Sequence, residues 1–305
     1  MFSALSRVNV VTPTLGGRQF WGDVAAFHGY RIQQNVVTGH YRLLNEKDFR
    51  LAWGSEESCR AALTRIQEAR HLPPMSGRVV ILLHGITRSS KSFTLVRRRL
   101  ESAGMQVIGF DYPSTRLPLK ELARYLDRLL KSLDEVTEID FVVHSMGGLL
   151  VRTYLQQAGD QWDRRIRSMV MLGVPNLGAR MATLLNHRFL FQLVFGPAGK
   201  ELQDGEASYV LSLPVPPFPF GIIAGARGTE EGWNPFIPGD DDGTVSVSAT
   251  RLPGATDFMT VRSQHTLMMW NPELADAVLR FLQTGAFRED GLREPIPAEG
   301  EKQLN

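Results

Sequence analysis

Residues 141–150 read FVVHSMGGLL. Three apolar residues run into a histidine and a serine, two glycines follow, and LLVRTYLQQA (149–158) then continues with helical periodicity. A hydroxyl has little reason to break a buried run unless the chain turns there. The stretch predicts a strand over 139–145, a helix over 147–159, and Ser145 on the corner between them. A sharp strand-to-helix turn pushes its middle residue out of the sheet, and small flanking residues, Gly147 and Gly148, keep neighbouring backbone from colliding. The bland alternative makes Ser145 only the N-cap of the helix.

Outward from this corner the chain alternates short apolar runs with amphipathic stretches. VVILL (79–83), MQVIGFDYP (105–113), IRSMVMLGVP (166–175), GIIAG (221–225) and DFMTVRS (257–263) read as strands. SFTLVRRRLESAG (92–104), LKELARYLDRLLKSL (119–133) and NPELADAVLRFLQTG (271–285) read as helices, the first closed by Gly104. Strands alternating with helices of this length imply right-handed crossovers and an α/β fold built on a largely parallel sheet. Such sheets place ligands at the carboxyl ends of their strands, the edge where Ser145 falls.

Two segments depart from the rhythm. Residues 20–54 alternate like antiparallel strands, with Thr38-Gly39 as a turn, and EESCRAALTRIQEAR (56–70) is a helix before a Pro-Pro break at 73–74. Residues 1–76 are therefore expected as an antiparallel edge plus a helix added to the main sheet, and 77–286 as the catalytic domain. Residues 176–219, holding LLNHRFLFQLVF (184–195) and LPVPPFPF (213–220), form an inserted cap; 184–195 is either an amphipathic lid or a core helix. The charged, proline-bearing 287–305 reads as a flexible tail.

Bulk properties exclude several classes. The 305 residues are 43% hydrophobic and 22% charged, ordinary for a globular protein, and a net charge of +2 gives no case for nucleic acid. The single cysteine, Cys59, permits no internal disulfide and fits a reducing compartment. The N-terminus lacks an apolar core of signal-peptide length, and no run reaches the roughly 18 apolar residues of a membrane span. The expected location is cytoplasmic, with the oligomeric state left open.

The motif VVHSMGG resembles the nucleophile elbow G-x-S-x-G of the α/β-hydrolase superfamily, with Val143 standing where the first glycine belongs. LLHGI (82–86), DDGTV (241–245) and SQHT (263–266) follow the same resemblance, which covers about residues 77–285 and is nearest to bacterial serine lipases and esterases. VMLGVPNLGA (170–179) adds a P-N-x-G turn similar to that branch. The resemblance implies an α/β-hydrolase fold and the chain order nucleophile, acid, histidine. Of the seven histidines only His187 and His265 follow Ser145, and His187 precedes every acidic group of a late-strand loop, which leaves His265 as the base. Asp242, directly before Gly-Thr-Val, takes the acid's role, with Asp241 as the near alternative. Asp240, Asp241 and Asp242 could otherwise form a solvated turn or a calcium site.

By the same resemblance the amides of Ile86 and Met146 form the oxyanion hole, Gly85 admits the substrate to the backbone, and His84 is structural. His144 is expected to be structural too, since adjacent strand positions point to opposite faces. The implied activity is hydrolysis of a carboxylic ester through an acyl-enzyme, with no metal or organic cofactor. The implied substrate is a small-molecule or lipid ester, and a transient contact with a lipid surface is left open. The same triad could serve an acyltransferase, thioesterase or amidase, and a non-catalytic binding scaffold is the remaining alternative.

Overall fold

A computed structural model describes residues 12–13, 18–177 and 206–298. Six parallel strands form the main sheet: β6 (Gly77–Leu83), β7 (Gln106–Phe110), β8 (Val136–His144), β9 (Ile166–Leu172), β10 (Phe220–Ala226) and β11 (Asp257–Arg262). Their spatial order is β11-β10-β9-β8-β6-β7. The chain thus runs from β6 outward to β7, then returns to the other side of β6 for β8. In open α/β sheets such a reversal is where ligands bind, here at the carboxyl ends of β6 and β8. Leu83 of β6 pairs with Val143 of β8, and His144 with Leu172 of β9, so the loops after β6, β8 and β9 emerge side by side.

The expected helices appear with shifted ends. Helix α1 (Glu56–Arg70) matches its expected span, while the segment from 92 begins as a 3-10 turn (Ser90–Phe93) before α2 (Thr94–Ser102). Helix α3 (Leu119–Lys131) buries Leu119, Leu122, Ala123, Leu126, Leu129 and Leu130, the spacing that puts one apolar stripe on the core. Helix α4 (Met146–Ala158) is buried along Met146–Leu155, as the central helix of the sheet must be. A short helix α5 (Glu206–Ser212) precedes β10, and α6 (Val247–Thr250) precedes β11. The last helix, α7 (Pro272–Thr284), starts on Asn271, whose side chain accepts from Leu274 N–H, with Pro272 in its first turn. No helix among the described residues is long and apolar enough to cross a membrane.

Two expectations need correction. The N-terminal strands are antiparallel as expected, but they do not extend the main sheet. Strands β1 (Thr12–Pro13), β2 (Trp21–Phe27), β3 (Tyr30–Asn35), β4 (Tyr41–Leu44) and β5 (Phe49–Gly54) form a sheet of their own, ordered β1-β5-β4-β3-β2. It meets the main sheet just past the end of β7. There Asp23 N–H donates to the Asp111 carbonyl at 2.8 Å, and Asp111 N–H donates to the Asp23 carboxylate at 2.6 Å. Polar alternation signals antiparallel pairing but carries no information about which sheet supplies the partner.

Residues 287–298 are also no free tail. The buried Asp257 carboxylate accepts from the amides of Phe287 (2.7 Å) and Glu294 (2.9 Å). Gly254 N–H donates to the Ile296 carbonyl, and Ile296 N–H to the Ala255 carbonyl. An unpaired carboxylate at the start of β11 would be costly to bury, and the segment satisfies it. The expected lid, 184–195, and most of the expected cap lie outside the described residues.

The contact between the sheets is a partly buried charge cluster around the fully buried Asp23. Arg31 lies between Asp23, Asp48 and Asp111, bonding the last two, and Asp111 also accepts from Ser90 N–H at 2.6 Å. Burial raises the pKa of Asp23, the nearby Arg31 opposes this and Asp111 adds to it, leaving Asp23 at about 7. An acid whose folded pKa exceeds its unfolded value of about 3.9 binds more protons when folded. Stability should therefore fall as pH rises from about 4 to about 7 and level off above. Asp23→Asn should remove that slope, so that the variant gains several degrees on the wild type between pH 5 and pH 8. Thermal melts at both pH values check this, and parallel curves would refute it.

Candidate active site

The corner after β8 has the backbone a displaced serine requires. Ser145 adopts φ 53° and ψ −122°, a conformation that L-residues rarely hold, despite Val143 in place of glycine. Its amide donates to the Leu172 carbonyl at 3.0 Å, and its side chain makes no helix-capping bond. The N-cap reading is thereby set aside. A Cβ on Gly147 would stand 2.6 Å from the Leu83 carbonyl oxygen, and one on Gly148 2.5 Å from a Val174 methyl. Both positions therefore require glycine because α4 presses directly against β6 and the loop after β9.

Ser145 Oγ lies 3.0 Å from His265 Nε2, and His265 Nδ1 lies 2.7 Å from Asp242 Oδ2. All three are nearly excluded from water, at 3%, 5% and 1% exposure. The other Asp242 oxygen accepts from the amides of Thr244 (2.9 Å) and Val245 (2.7 Å), and the Asp242 carbonyl accepts from His265 N–H at 2.8 Å. The carboxylate is thus fixed by its own turn before it meets the imidazole. Those acceptor roles make Nδ1 the protonated ring nitrogen and leave Nε2 free to accept from the Ser145 hydroxyl.

The neighbouring aspartates do other work. Asp241 accepts from Asn234 N–H and Gly243 N–H, and Asp240 from the amides of Arg227, Gly228 and Asp241. Burial raises the Asp241 pKa against those bonds. Among the described residues no three His, Cys, Asp or Glu side chains are placed to hold a metal ion.

Beneath the serine, Gly85 comes so close that a Cβ there would be 2.8 Å from His144 Nδ1 and 3.2 Å from Ser145 Cβ. The amides of Ile86 and Met146 have no protein acceptor among the described residues. His84 donates from Nδ1 to the Gly85 carbonyl at 2.7 Å, accepts from Tyr112 N–H at 3.4 Å and stacks on the Tyr112 ring. Burial lowers its pKa, keeping it neutral, although Asp111 at 3.9 Å pulls the other way.

His144 corrects the opposite-faces argument. Its ring centroid is 4.6 Å from that of His265, and its Nε2–H donates to the His265 carbonyl at 3.0 Å. Strand alternation ends where the strand ends, and the positive φ at Ser145 turns both side chains to one side. Burial, and then the neighbouring His265, hold the His144 pKa well below its ordinary value.

Several contributors carry no readable signal in the sequence. Arg152, buried in α4 with its pKa lowered to about 10 by burial, donates to the carbonyls of Asn176, Leu213 and Pro214. It ties the chain on both sides of 178–205 to the helix that follows Ser145. Gln19 and Ser114, from a segment without nameable resemblance and from a loop, reach the turn after β6.

These features, a parallel sheet with its loops converging at the β6/β8 reversal and a serine on a strained corner, define an α/β-hydrolase fold. Among solved structures the chain is similar to the mature lipase BlEst2 of Bacillus licheniformis, with 20% identity and a TM-score of 0.53 over 70% of this chain and 95% of that one. The propeptide form of that lipase gives 19% and 0.51 over 69% and 51%. The lin2722 product of Listeria innocua gives 17% and 0.48 over 73% and 98%. No curated protein matches. Residues 44–198, just over half of the chain, match the family described as "Domain of unknown function (DUF7379)", and the chain belongs to that family.

Proposed function

We propose that this protein is a serine hydrolase that cleaves carboxylic esters through an acyl-enzyme. The observation that supports this reading is the unbroken chain from Asp242 through His265 to Ser145, at 2.7 and 3.0 Å. A serine hydroxyl is a poor nucleophile until an oriented base can take its proton. In the proposed reaction Ser145 Oγ bonds to the ester carbonyl carbon and its proton passes to His265 Nε2. The amides of Ile86 and Met146 receive the oxyanion. The carbon–oxygen bond to the alcohol then breaks, and the alcohol leaves with the proton from His265. Water repeats the sequence, releasing the carboxylic acid and restoring Ser145. No cofactor enters the scheme. Phe236 and Leu267, exposed at 79% and 53%, lie close in sequence to Asp242 and His265 and favour an apolar ester.

A fluorophosphonate probe tests the reading: the expected adduct maps to the peptide containing Ser145 and is absent from Ser145→Ala. A folded wild-type protein that takes no adduct, or takes it elsewhere, would sink it. A series of p-nitrophenyl esters of increasing chain length then ranks acyl preference, with kcat/KM expected to rise from acetate upward.

His144 has a positioning part in this scheme. It holds the His265 carbonyl, while the Asp242 carbonyl holds the His265 amide. His144→Phe, which keeps an aromatic ring and loses the bond, should lower kcat about tenfold through misaligned imidazole. Unchanged kcat in steady-state ester assays would leave His144 as packing only.

A further inference from the structure

The segment that the hydrolase reading leaves without a task is the N-terminal sheet, and the turn after β6 shows what it touches. That turn runs from Gly85 to Arg88 and is closed by Arg88 N–H donating to the Gly85 carbonyl at 3.3 Å. Ile86 and Thr87 are its central residues. Thr87 has φ +60°. Glycine or asparagine is the usual occupant of such a position, and a β-branched residue there is a true outlier. Strained backbone of this kind persists only when its surroundings over-determine it, and it gathers at functional sites.

The surroundings come from two directions. Thr87 N–H donates to Ser114 Oγ at 3.0 Å, in the loop after β7. The Ser114 hydroxyl in turn donates to Gln19 Oε1 at 3.1 Å. Gln19 belongs to the short 3-10 turn Arg18–Phe20 that leads into β2 of the N-terminal sheet. The same Gln19 oxygen accepts from Thr115 N–H at 3.1 Å and from the Thr115 hydroxyl at 3.0 Å, while its Nε2 donates to the Arg88 carbonyl at 3.5 Å. One side chain therefore joins the last residue of the strained turn to the loop that supports its middle. That loop is held at its other end by the same sheet, through the bonds between Asp23 and Asp111 and through Arg31.

We propose that Gln19 is a positioning residue for the oxyanion hole, acting through Ser114 and Thr87 to hold the turn that aims the Ile86 amide, so that the N-terminal sheet is part of the catalytic apparatus. The proposal rests on the reading of Ser145 as nucleophile and Ile86 as oxyanion donor. Without these bonds Thr87 relaxes toward negative φ, and the turn carries the Ile86 donor away from the place where the oxyanion forms. Such a donor contributes mainly in the transition state, so the loss falls on kcat and on tetrahedral analogues, with little effect on ground-state binding.

Three variants of the full chain test this, assayed with a p-nitrophenyl ester and with an alkylboronic acid, which forms a tetrahedral serine adduct. Gln19→Leu removes all the bonds at similar volume. It should lower kcat by about 10- to 100-fold with KM within about twofold, because displacing rather than deleting a donor costs somewhat less than the full loss. Boronate affinity should fall by a similar factor. Gln19→Glu keeps the oxygen that accepts from Ser114 and Thr115 but loses the donor to the Arg88 carbonyl, so it should recover part of the lost rate. Ser114→Ala, which breaks the relay without substituting any residue of the N-terminal segment, should reproduce the Gln19→Leu pattern even if Gln19→Leu itself folds poorly. Unchanged kcat and boronate affinity in Gln19→Leu or Ser114→Ala would overturn the proposal. A loss confined to thermal stability would do the same. A wild-type protein that hydrolyses no ester and takes no label at Ser145 would instead overturn the reading of the site, and this inference with it.

Discussion

Ser145→Ala is expected to lower kcat for any ester the wild type hydrolyses by about 10⁵- to 10⁶-fold, with KM little changed. The size follows from what one oxygen does in the arrangement. Ser145 Oγ is the hydroxyl that His265 Nε2 meets, at 3.0 Å, so removing it leaves the imidazole with nothing to deprotonate but water. On the proposed reading acyl-enzyme formation would then end, and residual turnover would come from the proposed oxyanion donors and binding alone, on the order of 10³- to 10⁴-fold above water. Folding should be spared: the side chain makes no helix cap, and its strained backbone is set by the amide bond to Leu172 and by the packing of Gly147 and Gly148. Parallel measurements of kcat, thermal melting and fluorophosphonate labelling check all three parts. A variant that keeps even a tenth of the wild-type rate would mean that another group is the nucleophile.

The second large effect concerns the acid. Asp242→Asn should reduce kcat by about 10⁴-fold, while Asp241→Asn should stay within severalfold of wild type. The carboxylate of Asp242 has its Oδ1 occupied by two backbone amides, so Oδ2 faces the imidazole alone and fixes the proton on Nδ1. An asparagine seated on the same amides would present its NH₂ to Nδ1, favour the opposite tautomer, and leave Nε2 protonated and unable to accept from Ser145. Asp241 faces the amides of Asn234 and Gly243, and its loss would loosen the turn without changing the tautomer. Steady-state kinetics of the two variants separate these cases. Equal losses at both positions would show that the turn as a whole, rather than one carboxylate, sets the imidazole.

Much of the arrangement is legible in the sequence. The alternation of apolar runs with amphipathic helices specifies a parallel sheet, because each crossover needs a helix to cover the sheet's faces. Ser145 stands out because it breaks an apolar run at a strand-to-helix corner, whereas His265 and Asp242 are singled out by their likeness to α/β-hydrolase motifs, each in a stretch that follows a strand. The resemblance to α/β-hydrolases then supplies their order. The same local logic fails at His144, since a period-two rule holds only while the strand continues. It fails again at 287–298, whose charged and proline-bearing composition hides backbone amides directed at Asp257.

Periodicity and turn chemistry are local properties, so the amino-acid order alone records the class of fold and the strand-to-helix corner at Ser145. Tertiary structure decided which aspartate faces the imidazole, that the N-terminal strands form a sheet of their own, and that Gln19 reaches the turn after β6. Those outcomes depend on hydrogen bonds between residues far apart in the chain, Gln19 with Ser114 and Asp242 with His265. No local pattern records the partner of a polar side chain that finds it only after the sheets have packed.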